Sequence, residues 1–417
     1  MPAKQASYKI YGYRWVALVA FMLVVAVNQL CWITFASITS ESAKFYGTTD
    51  LNIGLLSMIF MIVYVIISFP ASWAIDTWGI RPAVGIGAGL TAVFALMRGL
   101  VGDNFTLVMI AQIGIAVGQP FLLNAVTSVA ARWFPVEERA TAAGLGTLAT
   151  YVGIVVGLAV TPMLIPTRGI AGVLTVYGII AIVFAILFFI FMRERPATPP
   201  CPEGMEVRSL VLKGLKDTLR NGNFWLLMVI FFIGLGAFNG VTTWIENIVK
   251  PRGFTSAQAG IAGGLMIVGG IVGALVLPTL SDKIRKRTPF IIIALAGAIL
   301  GLAGVTYFGT YTLLLVASFV LGFFLLSAGP IGFTYGAEIT YPTPEGTSNG
   351  LLILMGQISG ILFIFGMDAF KASNGAMTAS LIVLIALLVF SLILSFWLKE
   401  SKRLLIGTPS PQPGAKK

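Results

Sequence analysis

Twelve stretches of about twenty mostly apolar residues, each closed by a charge or a turn residue, follow one another along the chain. A helix of that length spans about 30 Å, the thickness of bilayer hydrocarbon. The sequence is therefore read as an all-α integral membrane protein of twelve spans, near 14–40, 52–75, 82–101, 105–131, 140–165, 170–192, 224–249, 257–280, 289–308, 312–336, 347–370 and 375–398. Composition supports this: 10% of the 417 residues are charged and 57% hydrophobic, against about 25% charged in soluble domains. A water-facing surface cannot be built from so few charges, so the exterior is expected to face membrane lipids.

A net charge of +11 would raise nucleic acid as a partner. The Lys and Arg residues, however, sit in short segments between apolar runs and not on one continuous face, which argues against it. With both termini on the cytoplasmic side, the inside segments hold 21 of the 27 basic residues. The positive-inside rule then sets a topology with the N- and C-termini inside. Histidine is absent, and the two cysteines, Cys31 in the first run and Cys201 in a Pro-rich stretch, make no disulfide framework. No metal site and no cofactor are expected, nor any nucleophile-and-base pair of an enzyme.

The pattern breaks at 193–223, where Pro196, Pro199, Pro200 and Pro202 precede Arg208, Lys213, Lys216 and Arg220. This divides the chain into a six-helix unit (1–192), a cytoplasmic linker (193–223), a second six-helix unit (224–400) and a tail (401–417). Val207 to Leu219 alternates apolar and basic positions at helical spacing, as a short helix lying on the membrane surface would. The two halves echo each other. The second span ends in Asp76-Thr77-Trp78-Gly79-Ile80-Arg81 and the eighth in Asp282-Lys283-Ile284-Arg285-Lys286-Arg287, an acid closing one helix and basic residues opening the next.

A polar group in hydrocarbon costs several kcal/mol unless it is paired, so each one in a span needs a partner or a role. Asn28, Gln29 and Trp32 lie in the first span, Gln112, Gln119 and Asn124 in the fourth, Asn239, Trp244 and Glu246 in the seventh and Gln357 in the eleventh. No carboxylate stands out near the midplane: Asp76, Asp282 and Glu338 fall toward the inner face and Glu246 toward the outer end. Arg98 and Arg168 fall near outer helix ends, where water or headgroups would solvate them. A neutral, aromatic interior suits a solute held by shape, amide hydrogen bonds and cation–π attraction.

The paired acid-and-basic loops resemble the loop motif of the major facilitator superfamily, in which they latch neighbouring helices in one access state. That resemblance assigns Asp76, Arg81, Asp282, Arg285, Glu338 and Glu345 to the latch. Glu338 to Leu352 (EITYPTPEGTSNGLL) further resembles the inner stretch between helices 10 and 11 of the FLVCR-type haem and choline transporters, and Pro70-Ala71-Ser72-Trp73 with Gly79-Ile80-Arg81 looks like the second loop of that family. The likeness runs through all twelve spans and implies two pseudo-symmetric six-helix halves rocking around a midplane site. It also implies a central site that cages a small amine between aromatic rings and two glutamines; a monomeric facilitator is expected, and the compact chain with short tails suggests a plasma (inner) membrane. Carried over by position, the helix 1 tryptophan is Trp32, the helix 4 glutamine Gln119 and the helix 11 glutamine Gln357. The helix 7 tyrosine falls on Phe238, which keeps a ring and lacks a hydroxyl. Asn28 and Asn239 complete the expected binding set. Uniport of a choline-like amine is the expectation. An exporter of haem or another metabolite, ion-coupled through Glu246 or Glu338, and a non-transporting receptor are the alternatives. For haem, ligation would fall to Tyr, Met or Cys; the dipeptide Cys201-Pro202 is read as linker.

Overall fold

The computed structural model describes residues 9–198, 218–341, 343 and 345–400; the side chains of Val136 and Glu345 lie outside that description. Most of the proposed surface helix at Val207 to Leu219, Cys201 and the tail from 401 onward therefore fall outside it.

The helices are α1 (Tyr13–Ile33), α2 (Thr39–Phe45), α3 (Asp50–Trp78), α4 (Ile80–Leu100), α5 (Phe105–Leu123), α6 (Val126–Trp133), α7 (Arg139–Phe191), α8 (Gly222–Thr243), α9 (Ile245–Val249), α10 (Ser256–Ile284), α11 (Thr288–Tyr307), α12 (Tyr311–Thr340), α13 (Glu345–Ala369) and α14 (Thr378–Ser395). No strand occurs among the described residues. The long α7 is two spans, 139–168 and 170–191, joined at Gly169, whose φ of +66° breaks the helical run. Twelve spans result among the described residues. The first, fourth and seventh are shorter or more broken than a hydropathy reading suggests: α1 stops at Ile33 and a separate short α2 follows, α5 gives way to α6 at Asn124, and α8 gives way to α9 at Trp244.

Local chemistry sets several starts. Thr255 opens α10 with a capping box to Gln258. Thr49 caps α3 and Asn104 caps α5, each accepting from a backbone N–H in the first turn. Large apolar side chains such as Phe69 (70% exposed) and Leu300 (72%) face outward, as lipid solvation allows. Inside, glycine lets backbones touch: a Cβ at Gly87 would meet the carbonyl of Gly118 at 2.8 Å, and one at Gly99, Gly273 or Gly322 would collide with the backbone of Thr175, Phe323 or Met266.

Tyr13, Phe191 and residues 399–400 all lie at one end of the bundle, here called the terminal face, where Tyr13 donates to the Phe191 carbonyl at 2.7 Å and Tyr335 to the Lys399 carbonyl at 2.7 Å. The opposite end is the distal face. The halves meet along α3 with α13, along α7 with α10, and through α2 with α9. Gly260, Gly263 and Gly264 of α10 lie against Leu158, Ala159 and Val155 of α7, and Gly360 of α13 lies against Met61 of α3. Within the first half, Gly153 and Gly157 seat α7 on Ala26, Leu30 and Ile33 of α1.

Candidate functional site

The contacts along the helices give the depth of each polar side chain. Gly153 of α7 sits on Ala26 of α1, which runs parallel to it, so Tyr151 is about level with Val24. Asn28 donates to the Ile115 carbonyl of the antiparallel α5 at 3.3 Å. Gln119, one turn further along, is therefore about 6 Å nearer the terminal face than Asn28 and also level with Val24. Met61 of α3 is about one turn beyond Ser57, the partner of Trp32, and touches Gly360 of the second half. Gln357 lies about 4.5 Å from Gly360 toward the terminal face. Asn239, next to Phe238, donates to the Gly356 carbonyl at 3.2 Å. Gln119, Tyr151, Phe238 and Gln357 thus fall at one depth, two from each half.

The bonding of the two glutamines differs from that of the other side-chain amides singled out in the spans, those of Asn28, Gln29, Gln112, Asn124 and Asn239, which are all bonded. Among the described residues neither the Gln119 nor the Gln357 amide has a hydrogen-bond partner, although Gln119 is only 6% exposed. Phe238 is buried and supplies a ring without a hydroxyl. Trp32 lies about 12 Å from that depth toward the distal face. Its indole N–H donates to the Ser57 carbonyl at 3.0 Å, leaving the ring face as its remaining chemistry. Asn239 fixes the α13 backbone beside Gln357. Among the described residues no carboxylate belongs to this layer, since the acids lie toward one face or the other, and no His, Cys, Asp and Glu cluster could hold a metal.

Asn28 departs from the expected role. Its amide, fully buried between α1, α4 and α5, donates to Thr91 Oγ1 at 3.0 Å and accepts from Gln29 at 3.2 Å, so its hydrogen bonds are already met within the first half. Gln112 and Asn124 are likewise tied, Gln112 to the Cys31 and Leu56 carbonyls and Asn124 to Tyr64, Ser68 and Ser72. Arg98 corrects the expectation of a solvated side chain. It is completely buried, donating from Nη1 to the Cys31 carbonyl and to Gln112 Oε1, both at 2.8 Å, with its guanidinium 5.3 Å from the centre of the Phe35 ring. Cys31 directly precedes Trp32, so this cluster holds the α1 backbone at that ring.

At the distal face the halves are bonded to each other. Glu246, fully buried, accepts from the Ser40 backbone N–H at 2.8 Å; Ser256 bridges Glu41 at 2.9 Å and Glu246 at 3.3 Å. Asp50 accepts from Asn247 at 2.8 Å and from Lys371 at 2.6 Å. Only Glu246 of this set stands out in a hydropathy reading, because the others lie in loops or at helix ends.

At the terminal face the predicted loops are present with different pairings. In the first, Asp76 is exposed and makes no ion pair among the described residues, while Glu194, just beyond α7, accepts from the backbone N–H groups of Ile80 at 2.9 Å and Arg81 at 2.7 Å and pairs with Arg132. The Arg81 side chain donates to the Phe189 carbonyl. In the second, Arg285 is exposed in a left-handed turn (φ 56°), and Arg287 takes its place, pairing with Asp282 and, at 3.0 Å, with Glu338. Burial pulls the Arg287 guanidinium toward neutrality, and the hydrogen bonds and charges of Glu338 and Asp282 outweigh it, holding its pKa above the ordinary value. Glu400, the counterpart of Glu194, accepts from the Arg287 and Thr288 N–H groups at 2.8 and 3.3 Å. Each half thus closes with an acid on the N-terminus of its third span, where the helix dipole favours it. Those two acids escape a sequence reading, since each lies over a hundred residues from the helix it caps. The Glu345 side chain lies outside the described residues.

The model of the Major Facilitator Superfamily matches residues 17–364. The choline/ethanolamine transporter FLVCR1 of Felis catus is 32% identical over 386 residues, covering 87% of this chain and 68% of that protein. Solute carrier family 49 member A3 of Danio rerio is 29% identical over 396 residues, covering 91% and 83%. Among solved structures, a bacterial homologue of the human lysosomal transporter Spinster, in an inward-facing and unoccupied conformation, superposes with a TM-score of 0.78 at 16% identity, covering 97% of this chain and all of that one. The two pseudo-symmetric six-helix halves and the family match together place this chain in the FLVCR-type branch of the Major Facilitator Superfamily, as a membrane transporter and not an enzyme.

Proposed function

We propose that the chain carries a choline-like amine across the membrane by uniport, alternating access between its two faces. The observation that carries this reading is the pair of amides, Gln119 and Gln357, at one depth on opposite halves. Two amides that no protein group among the described residues satisfies are free to bond one solute lying between the halves. Phe238 in that layer and Trp32 above it offer ring faces to a quaternary nitrogen. The layer holds no carboxylate among the described residues, so the positive charge rests on rings and amides, and nothing there titrates with a coupled proton. Two similar proteins, FLVCR1 of Felis catus and flvcr2a of Danio rerio, are choline/ethanolamine transporters, which supports the same substrate class.

In this reading Asn239 and Asn28 position the helices that bear the site and do not touch the solute. The units 1–192 and 224–400 rock about it, joined by the linker 193–223 and followed by the tail 401–417. The distal bonds of Glu246, Asp50 and Ser256 close the distal face. Basic-residue asymmetry makes the terminal face cytoplasmic. The working form is a monomer surrounded by lipid in a plasma (inner) membrane. Glu194 with Arg132, and Arg287 with Asp282 and Glu338, act as the latches.

Radiolabelled choline should bind purified, monodisperse protein saturably. Gln119→Ala and Gln357→Ala should each weaken binding at least tenfold, about 1.4 kcal/mol. Intact protein that shows no saturable choline binding would overturn the assignment of the amine.

A further inference from the structure

Tyr151 was not singled out by composition or motif, and its hydroxyl has no role in the bonding of the first half. It is half-buried, and among the described residues its oxygen has no hydrogen-bond partner. Among the other buried tyrosines of the first half, Tyr64 donates to Asn124 at 2.7 Å and Tyr177 bonds Thr161 at 2.9 Å, while Tyr46, whose hydroxyl is also without a partner among the described residues, follows α2 at the distal face, away from this layer. A hydroxyl that no protein group satisfies is free to bond a solute, as the two amides are.

Its direction follows from the helix that carries it. Val155, Leu158 and Ala159 of α7 face α10 of the other half, at Gly260, Gly263 and Gly264. Tyr151 is four residues before Val155 and so continues that stripe by one turn toward the terminal face. It stands at the edge of the contact between halves, where the glycine-to-backbone packing ends. Gly153 and Gly157, on the adjoining stripe, are the residues that touch α1. At this depth the neighbouring polar groups without partners among the described residues are the amides of Gln119 and Gln357, while Phe238 presents a bare ring.

We infer that Tyr151 is the specificity-determining contact for a hydroxyl on the solute. Its O–H donates to the oxygen of an amino alcohol, and an amide carbonyl of Gln119 or Gln357 accepts the proton of that same hydroxyl. The rings take the ammonium end. This rests on the amine reading above and narrows it: the site selects amino alcohols over amines of equal size that lack the hydroxyl. Sites built to hydrogen-bond a hydroxyl discriminate steeply against analogues without one, because their polar groups are then left unpaired.

The test compares uptake of choline and of ethyltrimethylammonium, which differs by the hydroxyl alone, into liposomes holding the wild-type protein or Tyr151→Phe. The wild type should favour choline by tenfold or more in kcat/KM, and in Tyr151→Phe that ratio should fall toward one through loss on choline. Equal loss on both substrates would assign Tyr151 a structural role, and an unchanged ratio would remove it from the site; either overturns the inference while the amine reading stands. Wild-type protein that carries neither amine would overturn both. Thermal melts of the two proteins in detergent show that Tyr151→Phe is folded, since a lost hydroxyl without a protein partner should leave stability unchanged.

Discussion

A guanidinium in hydrocarbon is tolerated when it finds acceptors, and Arg98 Nη1 finds them in the Cys31 carbonyl and Gln112, with its Nε left unpartnered among the described residues. Removing it leaves Gln112 Oε1 and a main-chain carbonyl exposed to an apolar surround. Arg98→Ala should therefore lower stability by about 2 kcal/mol or more, read as a reduced melting temperature in detergent. Arg98→Lys should not restore it, because an ammonium cannot serve the same spread of acceptors. A melting temperature equal to that of the wild type would contradict this account. At this scale the sequence shows which residues are polar within a span but not which way they turn. Gln119 and Asn28 read alike from the chain, yet among the described residues one amide is free and the other is bonded on both sides. Arg98 was misplaced for the same reason: its position near a helix end predicts solvation, and only the packing of α4 against α1 and α5 reveals enclosure.

The spans themselves were legible because a bilayer forces each backbone to satisfy its own hydrogen bonds over a fixed thickness. The break at 169 was legible too, between spans read as 140–165 and 170–192. The interruptions at Asn124 and Trp244 were not, as hydropathy continues across both. Nor were the capping acids, whose partners lie on other helices. Glu194 and Glu400 occupy equivalent places in the two halves and should have like effects. Glu194→Gln and Glu400→Gln each remove a charge from a helix N-terminus and should each cost about 1 kcal/mol. Chemical denaturation in mixed micelles would measure it, and a loss confined to one of the two would break the proposed equivalence.

Over the whole molecule, what separates one access state from the other is the contact between halves. Gly260 lies so close to the Leu158 carbonyl that an added side chain must push α7 and α10 apart, since a main-chain atom cannot swing aside. The distal bonds at Glu246, Asp50 and Ser256 depend on the same approach. Gly260→Val should accordingly bind choline and fail to cycle. The direct test is counterflow in proteoliposomes preloaded with unlabelled choline and diluted into a trace of labelled choline, for the wild type beside Gly260→Val. The account predicts transient accumulation of label by the wild type without any imposed pH or sodium gradient, and none by Gly260→Val. Absence of accumulation with intact wild-type protein, or exchange by Gly260→Val at the wild-type rate, would contradict it.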